Sequence, residues 1–410
     1  MPVTDEAQVR ALIRRAPAHP RVVSSGASVA PLALLGLVDD ELDTYRLNII
    51  NASPGVPVRA GVEHETVFIG PGVRGLPGLR YTPCRLSLVP YLFDSTFAPD
   101  IVLAHVSPPR NGRVSLGIEV MTMVAAIESA RARGALVLGQ VNAAMPYTFG
   151  DGELDVTDFD ALYESDLPLA LPDLPTVDPS PDFVRIGELT AARVADGATL
   201  QLGIGAAPDA TLPGLAARRH LGIWSEMFSD GVLRLERAGA LDSRRDIVGS
   251  FVVGSAELYE WMHLNPRVVM RRTEVVNNPG VIARQPQLTS INTALQIDLL
   301  GQANASRVRG RVYSGFGGQT DFIVGALHSR GGQALMALRS IHPKTGTSTI
   351  VPRLEEPVTS FQHSAVITEQ GVAEVFGHPE AEQRHNLIEH AAHPDARPLL
   401  REAARELVGV

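Results

Sequence analysis

The chain has 410 residues, 45% of them hydrophobic and 20% charged, with a formal net charge of −9 and a single cysteine. This length can bury two ordinary cores, and the acidic balance argues against nonspecific nucleic-acid binding while leaving room for a local basic patch facing an anionic cofactor. A lone Cys84 excludes an internal disulfide and suits a reducing cytoplasm.

The opening MPVTDEAQVR is acidic and does not read as a secretory leader. Ser24, Ser25, Gly26, Ser28, Pro31 and Gly36 interrupt the uncharged run Val22–Val38, so no membrane span is expected there. Glu6–Arg15 predicts a short amphipathic helix and Arg21–Val23 a strand. A small-residue turn, Ser24–Ala30, then leads to a helix from Pro31 to Val38, so Ser25 and Gly26 sit where a strand hands over to a helix. Small residues there let a ligand approach the backbone, although a tight turn would need them as well. Leu47–Ile50, Val67–Ile69 and Ile101–Val106 read as buried strands, and Ser107–Gly117 as a fixed loop rich in proline and glycine. A helix at about Glu119–Arg133 and a strand at Leu136–Val141 follow, then an irregular segment, VNAAMPYTFGDGELDV. Strands alternating with helices predict largely parallel, doubly wound sheets.

Prolines at 168, 172, 175, 179 and 181 make Asp166–Asp182 a stiff linker. The expected division is therefore an α/β domain over 1–170, a linker over 171–182 and a second α/β domain over 183–410. The second half opens with a helix near Ile186–Asp196 and enters TLQLGIGAAPDATLPGLAARRHLGIWSEMFSDG, residues 199–231. Leu200, Leu202 and Ile204 read as a buried strand, Pro208 fits the first turn of a helix, and Leu221 and Ile223 restart an apolar run. In a βαβ unit the loop Gly203–Ala207 and the side chain of Glu226 leave the same carboxyl edge, where open α/β sheets bind ligands. Further on, Ile247–Val253 predicts a strand, Glu257–His263 a helix, Val312–Phe316 a strand and Asp321–Leu327 a helix. Gly315, Gly317 and Gly318 then lie at a strand-to-helix passage whose amides could point toward Glu226.

One glutamate facing two glycine-rich loops suits nucleophilic attack on an acyl group, because the resulting oxyanion needs preorganised N–H donors and glycine permits close backbone approach. Spacing alone reads equally well as a glutamate capping or ion-pairing at a strand end.

Several ordered segments resemble the acetyl-CoA hydrolase/transferase family, the class I CoA-transferases that include 4-hydroxybutyrate, butyrate and succinyl-CoA:acetate CoA-transferases. They are GIGAAPDA at 203–210, LGIWSEMFSDGV at 221–232, EVVNNPGVIA at 274–283, SINTALQIDLLGQ at 290–302 and SGFGGQTDFI at 314–323. HVSPPRNGRVSLG at 105–117, VNAAMPYTFGDG at 141–152 and VITEQGVAE at 366–374 extend the likeness over nearly the whole chain.

The resemblance implies two CoA-transferase-type α/β domains with the active site in the interdomain cleft. Glu226 is then the nucleophile, giving a covalent glutamyl-CoA thioester and ping-pong transfer between an acyl-CoA and a short-chain carboxylate. Gly203, Ile204, Gly205, Ala206, Ala207 and Gly315 would contact coenzyme A, which is a substrate here. Gly317 and Gly318 would form the oxyanion hole, with Gly317 also touching CoA, and Asn292 would be a further CoA contact. The loops at Ser25–Gly26, Ser107–Gly112 and Asn142–Pro146 would shape the carboxylate side. No metal, nucleotide redox cofactor, nucleic acid or membrane partner is implied, and relatives suggest a cytoplasmic homodimer or higher oligomer. An acyl-CoA hydrolase using the same Glu226 and a non-catalytic CoA-binding homologue are the alternatives.

Trp224, Arg110 and Gln370 depart from the family's usual residues and bear on the substrate, not on the nucleophile. Lys344 reads as a solvated charge, with a CoA phosphate contact as the alternative. Pro208 stands where a dinucleotide fingerprint needs its third glycine, no G-x-S-x-G elbow occurs, and His385, His390 and His393 match no ligand signature.

Overall fold

A computed structural model describes residues 4–169, 180–203, 206–358 and 362–407. The contacts divide the chain into two units. The first holds the described residues of Met1–Leu174 with Asp246–Val276 and Tyr313–Gly317; the second holds those of Pro175–Arg245, Asn277–Val312 and Gly318–Val410.

In the first unit seven strands form one sheet: β1 (Arg21–Ser24), β2 (Tyr45–Ile49), β3 (Val62–Thr66), β4 (Arg80–Tyr81), β5 (Ile101–Val106), β6 (Leu136–Val141) and β7 (Ala161–Glu164). Their order is β7-β6-β5-β1-β2-β3-β4 and every pairing is parallel. All six residues of β5 are buried, as expected for an Ile/Val/Leu-rich strand covered on both faces. Helix α1 (Leu32–Glu41) follows β1, and α2 (Met123–Arg133) ends on Gly134, whose left-handed φ of 68° closes the helix. The chain winds outward from β1 to β4 and then resumes on the other side of β1 with β5. The loops after β1 and β5 therefore flank the point where strand order reverses, the usual ligand crevice of such sheets.

In the second unit α3 (Pro181–Ala192) precedes β8 (Thr199–Leu202), α4 (Ala206–Leu215) and β9 (Gly222–Trp224), then β10 (Thr289–Asn292), α5 (Gln319–His328), β11 (Gln333–Ala337), β12 (Ala365–Thr368) and β13 (Gly371–Glu374). The strand order is β13-β12-β11-β10-β8-β9, parallel throughout except for the β12–β13 hairpin. Here the order reverses at β8, so the loops after β8 and β10 flank the second switch point.

The doubly wound parallel architecture is the one expected, and β5 and β6 carry the expected bounds. Three local expectations are corrected. The helix read from Glu119 begins at Met123, because Met121 takes a positive φ of 25° that no helix accommodates, which leaves Glu119 in the turn before it. The strand read over Val312–Phe316 is confined to Arg311–Val312, since Gly315 (φ 144°) and Gly317 (φ 57°) bend the backbone out of the extended range. The strand read over Val67–Ile69 ends at Thr66, whose hydroxyl lies within hydrogen-bonding distance of the carbonyls of Ile49 and Phe68.

Residues 246–276 group with the N-terminal unit for a visible reason. Strand Ile247–Gly249 pairs with Val268–Met270, which pairs with Phe149–Gly150, while the amides of Val120 and Met121 donate to Ser250 O. Most of the proline-rich linker, 171–179, lies outside the described residues. Among the described residues no helix is long and apolar enough to cross a membrane.

Candidate active site

The expected βαβ unit is present: β8 and β9 are parallel neighbours, with Thr199 opposite Gly222 and Leu200 opposite Ile223. Glu226 follows the carboxyl end of β9. The turn that carries it is fixed by Ser225, fully buried, whose Oγ accepts from Leu202 N at 3.3 Å and donates to Met227 O at 2.6 Å. One hydroxyl thus ties the ends of two adjacent strands together and fixes the direction in which the next side chain leaves.

The Glu226 carboxyl meets Asn277, whose Nδ2 donates to Oε2 at 2.5 Å. Asn277 is fully buried, in the two-residue link Asn277-Asn278 between the short helices Thr273–Val276 and Pro279–Ile282. Its neighbour Asn278 turns the other way and caps Pro279–Ile282 by accepting from Gly280 N. Gly318, the N-cap of α5, packs against the same carboxyl. A Cβ at that position would fall 1.6 Å from Glu226 Oε2 and 2.0 Å from Asn277 Nδ2, so only glycine fits. One turn into the same helix, Asp321 is 1% exposed.

Burial raises the Glu226 carboxyl to about 7; the Asn277 hydrogen bond works against this and the charge of Asp321 adds to it. An acid poised near neutrality, with one oxygen fixed by an amide and a helix start beside it, can supply either a carboxylate nucleophile or a proton acceptor.

The other candidates fall into place unevenly. Gly318 is at the carboxylate. Gly317, with φ of 57°, belongs by its contacts to the first unit, where its carbonyl accepts from Leu86 N and a Cβ would lie 3.3 Å from the Phe68 ring. Gly315 packs against Val67 O, where a Cβ would come within 2.7 Å. Gly203 follows β8 at the second switch point, Ile204 and Gly205 lie outside the described residues, and Ala206 and Ala207 open α4.

Asn292, expected to touch CoA, ends β10, and its Nδ2 donates to Ser290 Oγ at 2.7 Å and Gln201 Oε1 at 3.2 Å. Its amide protons are thus turned to the strand ends. Lys344 is exposed, as a solvated charge would be. Gln370 donates to Glu369 Oε1 at 3.1 Å, and Trp224 is half-buried at the end of β9.

Sequence reasoning did not single out Asn277, Ser225 or Asp321. The only signal for Asn277 was the Asn-Asn-Pro-Gly string, in which either asparagine could have been the cap. The Ser225 role depends on the pairing of β8 with β9.

The fold and this carboxylate define a doubly wound α/β protein with a poised acid at a sheet's carboxyl edge. Residues 254–404 match the acetyl-CoA hydrolase/transferase C-terminal domain. The 4-hydroxybutyrate coenzyme A transferase of Clostridium kluyveri is 36% identical across 93% of this chain and 93% of its own length. RipA of Yersinia pestis superposes with a TM-score of 0.90 at 28% identity, covering 97% of this chain and 96% of that one. An acetyl-CoA hydrolase of Saccharomyces cerevisiae is 33% identical over 49% of this chain and 39% of its own length. The chain belongs to the acetyl-CoA hydrolase/transferase family, and within it to the CoA-transferases, the hydrolases being the more distant relatives.

Proposed function

We propose that this CoA-transferase moves CoA from an acyl-CoA to a short-chain carboxylate with Glu226 as its nucleophile, through a glutamyl-CoA thioester. The observation that carries the reading is the enclosure of the Glu226 carboxyl by Asn277 and a glycine that tolerates no side chain.

Ionised Glu226 attacks the thioester carbonyl, and collapse of the tetrahedral oxyanion expels CoA thiolate and leaves a mixed acyl-glutamyl anhydride. The thiolate attacks the glutamyl carbonyl, the donor acid departs as its carboxylate, and Glu226 carries CoA as a thioester. An acceptor carboxylate attacks that thioester, expelling thiolate and forming a second anhydride. The thiolate then attacks its acyl carbonyl, which releases the new acyl-CoA and regenerates the Glu226 carboxylate. Each oxyanion needs amide donors, and Gly318 opens α5, whose first N–H groups have no partner within the helix. Gly317 joins it as the adjacent glycine, and the segment Gly203–Ala207 takes part of CoA.

The test is to trap the intermediate. Enzyme incubated with acyl-CoA and no acceptor, then reduced with borohydride, should carry an alcohol in place of the Glu226 carboxyl, found by peptide mapping in the fragment holding Trp224–Met227. Acceptor added before the reductant should discharge CoA as a new acyl-CoA. Recovery of unaltered Glu226 from enzyme that is turning over refutes the mechanism, and an adduct that water clears as fast as acetate does makes the enzyme a hydrolase.

A further inference from the structure

The helix that meets the Glu226 carboxyl carries a second acid in its first turn. α5 begins at Gly318, whose lack of a side chain leaves room for the Glu226 carboxyl. Asp321 follows in the same turn at 1% exposure. Side chains on a helix lean toward its N-terminus, and residues three apart share one face at about 5–6 Å from each other. Asp321 therefore overlies the turn opened by Gly318, the turn against which Glu226 Oε2 is packed. Its charge acts on Glu226 and opposes ionisation there. Glu226, Asn277 and α5 all belong to the second unit.

An acid in the first turn of a helix gains from the helix dipole, and an exposed one gains without losing its hydration. A buried carboxylate beside a second carboxyl carries two costs, desolvation and like-charge repulsion. Asparagine has the same shape and would incur neither. The surroundings make the repulsion selective. The elements packed most closely on α5 are Pro279–Ile282, β10 and β11, with the sequences PGVI, TSIN and QALMA, and none of them brings a titratable side chain. Within α5 the other titratable residue is His328, exposed at the far end. Against the Glu226 carboxyl itself stand the Asn277 amide and Gly318, both uncharged. Asp321 is the charge that acts on it among the described residues.

The first half of the proposed transfer changes the charge at this point. Glu226 enters it as a carboxylate and ends as an uncharged thioester. The bond from the acyl carbonyl to sulfur breaks, sulfur becomes bonded to the glutamyl carbonyl, and the donor acid departs with one Glu226 oxygen and the negative charge. Repulsion from Asp321 raises the starting carboxylate and leaves the thioester unaffected.

We infer that Asp321 is a positioning residue acting through Glu226: its charge raises the free carboxylate relative to the CoA thioester and so drives the enzyme toward its covalent form. The inference rests on the proposed double displacement, and it names what sets the balance between the two enzyme states.

The experiment mixes the full-length enzyme with acetyl-CoA and acetate at fixed ratios near pH 8.5, where Glu226 is ionised, and reads the ratio of CoA thioester to free enzyme by intact-protein mass. The Glu226 ionisation is followed separately, by infrared difference spectra against Glu226→Gln. Asp321→Asn should lower the thioester ratio about tenfold and move the Glu226 ionisation about one unit toward acid, because one interaction governs both. Should Asp321→Asn fail to fold, Asp321→Ser removes the same charge from a smaller side chain and carries the same expectation. An unchanged thioester ratio in a folded variant overturns the inference, and so does an ionisation that stays in place or moves toward alkaline pH. A lower melting temperature with neither shift would mark an acid that only supports the helix start, and overturns it equally. Absence of any thioester in the wild type defeats the double displacement and this inference with it, and is recognised before any variant is compared.

Discussion

Asn277 donates its side-chain amide to Glu226 Oε2 across 51 residues of sequence, and both partners sit in the second unit. The bond fixes one carboxylate oxygen and favours the charged form, in opposition to burial. Asn277→Leu should therefore raise the Glu226 pKa further. We expect the acid limb of kcat/KM against pH to move by about one unit toward alkaline pH, with activity at neutral pH reduced by about ten- to a hundredfold. A limb that stays in place would mean that the amide does not govern the ionisation.

Gly318 differs from its neighbour Gly317 in what a side chain would strike. Alanine at 318 would drive a Cβ into both the carboxylate and the amide that holds it, so Gly318→Ala should lower kcat by more than about a hundredfold while the protein stays folded. Retention of most of the activity would show that the carboxylate has room to shift and still react.

At Gly317 the obstacle is the backbone itself, since φ is 57°. Gly317→Val should cost about 1–2 kcal/mol of stability and, by disturbing the amides beside Gly318, lower kcat more than it weakens CoA binding. Steady-state kinetics set beside CoA titration decide this. A loss confined to binding would make Gly317 a CoA contact and remove it from the oxyanion site.

The raised Glu226 pKa also predicts how stability depends on pH. The folded value is about 7 against 4.5 for the free side chain, so the unfolded chain releases its proton first. Stability from this group is fully present below about pH 4.5 and is lost as pH rises through 7. Glu226→Gln stays neutral throughout. It should melt at the same temperature as wild type in acid and a few degrees higher above neutrality, a difference of at most about 3 kcal/mol. Melting curves from pH 4 to pH 8, each about one unit apart, test it; a constant difference across that range would mean that the carboxyl is not buried in solution.

Removing the Ser225 hydroxyl tests how the nucleophile is aimed. Ser225→Ala frees Leu202 N and Met227 O from their shared partner, and should lower kcat about tenfold with a stability loss of about 1 kcal/mol. Wild-type kcat in this variant would mean that the β8–β9 pairing alone aims Glu226.

The parallel architecture was legible in the chain because buried parallel strands need continuous apolar runs, and Ile101–Val106 and Leu136–Val141 are such runs. Glu226 was legible for a related reason. A carboxylate two residues past a buried strand leaves near the sheet's edge, and the glycines upstream mark the edge of the neighbouring strand. The elements that sequence periodicity misplaced were those ended by single backbone angles, such as Met121 before α2 and Gly315 after Arg311–Val312. A residue's sign of φ is set by what surrounds it, and hydrophobic spacing does not carry that information.

What only the tertiary structure decided is which residues meet the carboxylate. Asn277 and Asn278 are chemically identical neighbours, yet one is buried against Glu226 and the other caps a helix turn in view of solvent. The same applies to Glu119, which the sequence placed in a helix and the fold placed beneath Gly26. Residue type and spacing along one element determine what a segment can be. Contacts between segments 51 or 93 residues apart depend on how strands order themselves in a sheet, and that order is chosen by the packing of the whole unit.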